Sequence, residues 1–238
     1  MSNNVVNPLP GVPIVESPFF EMLAPNFDGD AEALRLARDL HRDGYAVLDF
    51  PDPDFAARAD ALRRDMDPYY DWFTWRAKGG GMRVHDAWKF DANAKALAVN
   101  GRLIELLSRI YGRRAWPFQT LNFPVGTEQH YHSDSVHFSS YPERFMCGVW
   151  VALEDVHEDA GPLIYYPGSH KWPIYTNEHL GICGAHQPGI PGQATFEPLW
   201  ERLVAQTGIE PARFLPRKGQ ALIWAANLLH GGDVHRDR

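Results

Sequence analysis

Cysteine is nearly absent. Two thiols in 238 residues, Cys147 and Cys183, cannot build a disulfide framework. They show neither CxxC spacing nor a neighbouring zinc pattern, so buried free thiols are expected at both positions. Long apolar runs are missing too: no segment comes near the roughly 18 consecutive apolar residues of a membrane span. The start, MSNNVVNPLPGV, has neither a basic n-region nor an apolar h-region. A soluble, cytoplasmic protein with no membrane partner is the expectation. The net charge of −7 comes without any block of clustered Lys and Arg, which argues against nucleic acid as a partner. Three catalytic signatures are also lacking. There is no G-x-S-x-G elbow, no phosphate-cradling G-x-x-x-x-G-K and no dinucleotide G-x-G-x-x-G, which sets aside the chemistries built on them.

The chain is 45% hydrophobic and long enough to bury roughly 70–75% of its unfolded surface, so one domain spanning residues 1–238 is expected. An aromatic content of 13% with 20 Gly and 19 Pro describes a turn-rich protein with a bulky core. Eleven histidines are about twice an ordinary share, and that excess is the first hint of function.

Residues 1–29 are rich in Pro and Asn and lack periodicity, which predicts an extended arm. Residues 30–112 read as mainly helical. Asp30 is a good N-cap, Ala33, Leu34, Ala37 and Leu40 share a face, and Gly44 closes the helix. YAVLDF (45–50) reads as a buried strand, Pro53 to Met66 as a second helix, and GRLIELLSRIYG (101–112) as a third. YYDWFTWRAKGGG between the last two is expected to be a flexible loop. From residue 113 to 238 the texture changes to short runs separated by Pro and Gly: PFQTLNF, EQHYH, FMCGVWVAL, PLIYY and QALIWAA. These read as the strands of a jelly roll, with the Gly- and Pro-rich stretch 171–198 as an insertion loop near its open end. The fold class is therefore α+β: a double-stranded β-helix, cupin-like core with N-terminal helices packed outside.

HYHSDSVHF (130–138) places His130, His132 and Asp134 at alternate positions. On a strand these three project to one side while Tyr131 and Ser133 go to the other. A lone His on a strand is ordinarily a surface or hydrogen-bonded residue, but H-x-D brings an imidazole and a carboxylate toward one point. A third donor must come from elsewhere, and His230 stands in LLHGGD, followed by two glycines that let backbone pass close to a site. Two histidines and a carboxylate with open positions suit non-haem Fe(II). A closed four-ligand zinc site leaves no such room.

HSDSVHFSSYP, then GVWVALEDVHEDAGPLIYYPGSH, then LLHGG resemble, in that order, the phytanoyl-CoA dioxygenase family of Fe(II)- and 2-oxoglutarate-dependent oxygenases, over roughly residues 82 to 233. The resemblance implies His132, Asp134 and His230 as iron ligands and as the catalytic centre, with 2-oxoglutarate and O2 as co-substrates and a small organic molecule as substrate. It leaves His130 as a neighbour of the site. His170 is expected to be a turn residue, while His137, His157, His179 and His186 have no convergent partners in the sequence. A carboxylate at 134 favours hydroxylation over halogenation, because related halogenases carry a small residue there.

The distal carboxylate of 2-oxoglutarate needs a clamp, and a bidentate arginine is the usual solution. The family spacing places it at about position 239 to 241, past the last residue given. Arg238 is the nearest candidate and Arg236 the next, with a truncated final strand as the expected explanation. The resemblance also points to Arg83 in MRVHD and to Trp150 in GVWVALE as co-substrate contacts. Gln119 and Asn122 in PFQTLNF are neutral donors for the same ligand, and Gln129 is a weaker one. Two other readings stay open: a barrel that binds metal or ligand without catalysis, and a cupin-type metalloenzyme using His130, His132 and His230 with Mn or Zn. Neither the substrate nor the oligomeric state is legible.

Overall fold

The structure, a computed structural model, describes residues 5–138, 140, 142–181 and 192–237. Cys183, His186 and Arg238 lie outside them. The N-terminal segment departs from the expected extended arm. A 3-10 turn at Ile14–Glu16, helix α1 (Phe20–Leu23) and a second 3-10 turn at Ala24–Phe27 bury Val15, Phe20, Leu23 and Phe27. Each turn is too short to display a 3.6-residue repeat, so periodicity does not reveal it.

Helix α2 (Ala31–Asp43) follows its punctuation. Asp30 accepts the Ala33 N–H at 3.0 Å, and Gly44 turns the chain at φ +83° into strand β1 (Tyr45–Asp49). Helix α3 covers Phe55–Met66. The aromatic stretch expected to be a loop contains helix α4 (Trp72–Lys78), started by Asp71 accepting from the Thr74 N–H. Strand β2 (Val84–His85) and helix α5 (Ala92–Ala98) precede helix α6 (Gly101–Tyr111), which Asn100 caps and Gly112 ends at φ +74°. The remaining strands are β3 (Leu121–Asn122), β4 (Cys147–Val151), β5 (Leu163–Tyr165), β6 (Ala212–Phe214), β7 (Gln220–Ala225) and β8 (His230–Gly232). EQHYH forms no strand. Only its last residue is bridged, to His230.

The expected 171–198 loop is largely helical where it is described: α7 (Asn177–Leu180) and α8 (Gly192–Thr207). Phe196 and Trp200, one turn apart and stacked at 5.8 Å, pack beside Tyr166 and Leu229 and anchor α8 despite its internal Pro198. Gly and Pro content alone hides that pair.

Two antiparallel three-stranded sheets, β1-β7-β4 and β6-β5-β8, face each other in a jelly roll, so β1 joins the sheet from within the helical part of the chain. On one face of the first sheet Ala46, Leu48, Ala221 and Ile223 pack against α2, α3, α5 and α6. On the other, Tyr45, Val47, Trp150, Leu222 and Trp224 meet Leu163, Tyr165, Ala212 and Phe214 of the second sheet. Among the described residues no helix is long and apolar enough to cross a membrane.

Candidate metal centre

The segment carrying His132 is held to the β7–β8 connection by backbone and side chain. His132 N–H donates to the His230 carbonyl (2.8 Å), His230 N–H returns the bond (3.0 Å), and Ser135 N–H donates to the Ala226 carbonyl (3.1 Å). Between the two ligand positions, buried Ser133 donates from Oγ to Asn227 Oδ1 at 3.0 Å. Asn227 in turn donates from Nδ2 to the carbonyls of Trp172 (2.7 Å) and His170 (3.2 Å). Asp134 does not continue a strand, as the alternation argument requires; it opens a 3-10 turn, Asp134–Val136. That turn carries its carboxylate toward the two imidazoles.

Gly231 and Gly232 explain how the chains approach so closely. A Cβ on Gly231 would lie 2.7 Å from the Gln129 carbonyl oxygen, and one on Gly232 2.5 Å from Thr127 Oγ1, inside van der Waals contact in both cases. The pair of glycines expected to let backbone pass the site does so here.

His132, Asp134 and His230 offer donor atoms that all lie within 4.8 Å of one another. His132 Nε2 is 3.7 Å from Asp134 Oδ1 and His230 Nε2 is 3.7 Å from Oδ2. Both rings are set the same way. Nδ1 of His132 bonds the His130 carbonyl at 2.9 Å and Nδ1 of His230 the Leu228 carbonyl at 3.0 Å. A carbonyl only accepts, so Nδ1 carries a proton in each ring, and Nε2 is the nitrogen each ring turns toward the carboxylate. The side chains are 6%, 11% and 7% exposed. Burial, reinforced by the neighbouring His230 and opposed by Asp134, pushes the His132 imidazole well below its ordinary value. It is therefore neutral near pH 7, the form a metal requires.

His130 is kept apart: its Nδ1 bonds the Tyr131 carbonyl and its Nε2 faces Glu201 at 3.3 Å. The three-histidine arrangement is not assembled. His170 is buried in the 3-10 turn Ser169–Lys171, with Nε2 donating to the His41 carbonyl at 3.2 Å, in line with its expected turn role. The residues expected to hold a keto acid are scattered. Trp150 lies on the inner face of β4, edge-on to Phe214 at 5.8 Å. Asn122 on β3 is half-buried, with Oδ1 enclosed and unpaired. Arg83 and Gln119 are exposed, Gln129 donates to Gln193 Oε1, and Arg236 lies 3.7 Å from Asp233. Arg238 is outside the described residues. None of the described ones is hydrogen-bonded to the His–Asp–His cluster.

Sequence reasoning missed Trp224, whose Nε1–H donates to Asp134 Oδ2 at 2.9 Å and whose ring lies 4.6 Å from that of His230. It also missed the Ser133–Asn227 tie, and it left His137 unassigned although that ring stands 5.2 Å from His132. Alternation along QALIWAA, which puts Trp224 on the face opposite Ile223, was the one available signal.

The family model for phytanoyl-CoA dioxygenase (PhyH) matches residues 40–236. A curated relative from Danio rerio, phytanoyl-CoA dioxygenase domain-containing protein 1, is 31% identical over 115 residues; that stretch is 47% of this chain and 34% of the relative, about a third of its length. Among solved structures, the carbocyclase SnoK from nogalamycin biosynthesis, described as non-heme and alpha ketoglutarate dependent, has a TM-score of 0.60 at 15% identity, covering 89% of this chain and 81% of its own. The epimerase SnoN, in complex with Fe3+, alpha ketoglutarate and nogalamycin RO, has 0.56 at 21%, covering 86% and 78%. At these identities the solved structures show the fold alone.

Proposed function

This chain belongs to the phytanoyl-CoA dioxygenase family, and on that footing we propose that it is an Fe(II)- and 2-oxoglutarate-dependent oxygenase, one domain over residues 1–238, that hydroxylates a small organic molecule in the cytoplasm. The observation that carries this reading is the meeting of His132, Asp134 and His230 with Nδ1 of each ring bonded to backbone and Nε2 of each ring turned toward the carboxylate. Two imidazole nitrogens and one carboxylate oxygen are a donor set that suits Fe(II) and leaves positions for a bidentate keto acid and O2. When bound, the iron would supply the chemistry that couples splitting of 2-oxoglutarate to succinate and CO2 with oxidation of a substrate C–H bond.

The protein's own residues bind, orient and exclude water. The carbonyls of His130 and Leu228 hold the two rings in one tautomer, and the Ser133–Asn227 tie fixes the backbone between the ligands. Trp150, on the wall shared by the two sheets, is the supported candidate for co-substrate contact, and Asn122 stays a candidate through its amide N–H donors, since its enclosed oxygen can only accept. Arg83, Gln119 and Arg238 stay candidates for the clamp on the distal carboxylate.

His132→Ala and Asp134→Ala are expected to abolish succinate formation from 2-oxoglutarate while leaving the circular dichroism spectrum and melting curve close to wild type. Full turnover in either variant overturns the ligand assignment. Metal binding without succinate release or O2 consumption across a panel of small molecules would instead favour a non-catalytic metal-binding barrel.

A further inference from the structure

One contact to the site comes from neither the metal-ligand set nor the backbone: the indole N–H of Trp224. It donates to Asp134 Oδ2 at 2.9 Å, the oxygen 3.7 Å from His230 Nε2, while Oδ1, 3.7 Å from His132 Nε2, takes no such bond from the indole. The indole plane lies against the His230 ring at 4.6 Å and 43°, so one side chain touches two of the three converging residues. Room for it is made on the neighbouring strand. Gly148 is the register partner of Trp224 in the β4–β7 ladder, and a Cβ there would fall 2.1 Å from Trp224 Cε2 and Cζ2. Any side chain at 148 would drive the indole off its place.

We propose that Trp224 is a positioning residue that gives the two oxygens of Asp134 different tasks, holding Oδ2 by its indole N–H so that Oδ1 alone coordinates the metal, with Gly148 as the clearance that allows it. The proposal rests on the metal reading above and deepens it. A carboxylate with both oxygens free can swing to chelate, and chelation takes one of the positions that a keto acid and O2 need. An N–H held on one oxygen opposes that swing and also keeps the carboxylate in register with the His230 ring. A tryptophan that only fills space would do neither, since its N–H could be removed without changing the metal site.

Co(II) is a suitable probe, because its visible absorption reports coordination geometry and its binding is measured without turnover. Trp224→Phe keeps an aromatic ring beside His230 and removes the N–H. Gly148→Ala keeps the indole and displaces it. Both are expected to bind Co(II) about 10- to 100-fold more weakly than wild type, with altered visible absorption and a retained far-ultraviolet circular dichroism spectrum. Binding by folded Trp224→Phe within about twofold of wild type, with an unchanged spectrum, overturns the clamp while the metal reading stands. Wild-type protein that binds no Co(II) overturns the metal reading, and the clamp with it. Should Trp224→Phe fail to fold, the eight tryptophans allow a test on the wild type by 15N indole spectra during Zn(II) titration. One signal moving with metal occupancy and protected from exchange supports the clamp, and no such signal overturns it.

Discussion

The sheet β1-β7-β4 has two faces made from the same strands, and they are put to opposite uses. Toward the helices, Ala46 and Leu48 of β1 and Ala221 and Ile223 of β7 are closed off, none more than 3% exposed. Toward the second sheet, Tyr45, Val47, Trp150 and Trp224 are only half-buried, and the metal cluster lies beside Trp224. One face is a dry apolar layer whose contribution is stability. The other is richer in aromatic rings and, Leu222 apart, less completely buried, as suits a wall that must admit a ligand. The period of two along a strand is what lets one segment serve both.

Substitutions on the two faces are therefore expected to separate stability from metal chemistry. The largest stability effect is on the helix side: Ile223→Ala is expected to cost roughly 2–5 kcal/mol in a denaturant titration, with Co(II) affinity of the folded protein unchanged. A parallel loss of metal affinity would show that the faces are coupled.

His170 gives the next effect, at the seam where Gly44 ends α2. A Cβ on Gly44 would lie 2.4 Å from His170 Nδ1, and that nitrogen is enclosed without a partner. Burial is the first cause that pushes the imidazole down to about 4 from its ordinary 6.5. The unfolded chain takes up the proton below about pH 6.5 and the folded chain only near 4, so stability falls as pH drops through that window. The full loss is about 3 kcal/mol at the lower end. His170→Gln, compared with wild type by denaturation at pH 7 and pH 4, is expected to flatten that slope. An equally steep slope in the variant would place the titration elsewhere.

The smallest effect expected is on the inner side. Ser133→Ala removes the donor to Asn227 Oδ1 and is expected to cost about 1 kcal/mol, visible as a small shift in melting temperature, together with a weakening of Co(II) binding that Ile223→Ala does not show. Stability lost without any change in metal affinity would make the Ser133–Asn227 tie a packing feature only.

Much of this was legible beforehand. Asp30, Gly44 and Gly112 mark real helix ends, and H-x-D with a distal His before two glycines marks residues that do converge. What failed to read is as specific. The 3-10 turns at 14–16 and 24–27 are shorter than any period that could reveal them. The helix at 192–207 was masked by Gly and Pro, and the strand inferred for EQHYH is an irregular segment with a single bridge. His130 shares the sequence alternation of His132 and none of its geometry, because residues 128–131 form no strand and the His130 ring is turned to the Tyr131 carbonyl and Glu201.

By itself the amino-acid order determined the helix ends and the jelly-roll strands at β4, β5 and β7, since caps and alternation are properties of neighbouring residues, while the three donors were singled out by the resemblance of their motifs to a family. Only the tertiary structure decided that Ser133 is tied to Asn227, that the Asp134 carboxylate meets an indole 90 positions away, and that each ligand imidazole turns its Nε2 inward. Those facts depend on which strand lies opposite which and on how closely two glycines let them approach. Nothing in a local pattern encodes a pairing across that much chain.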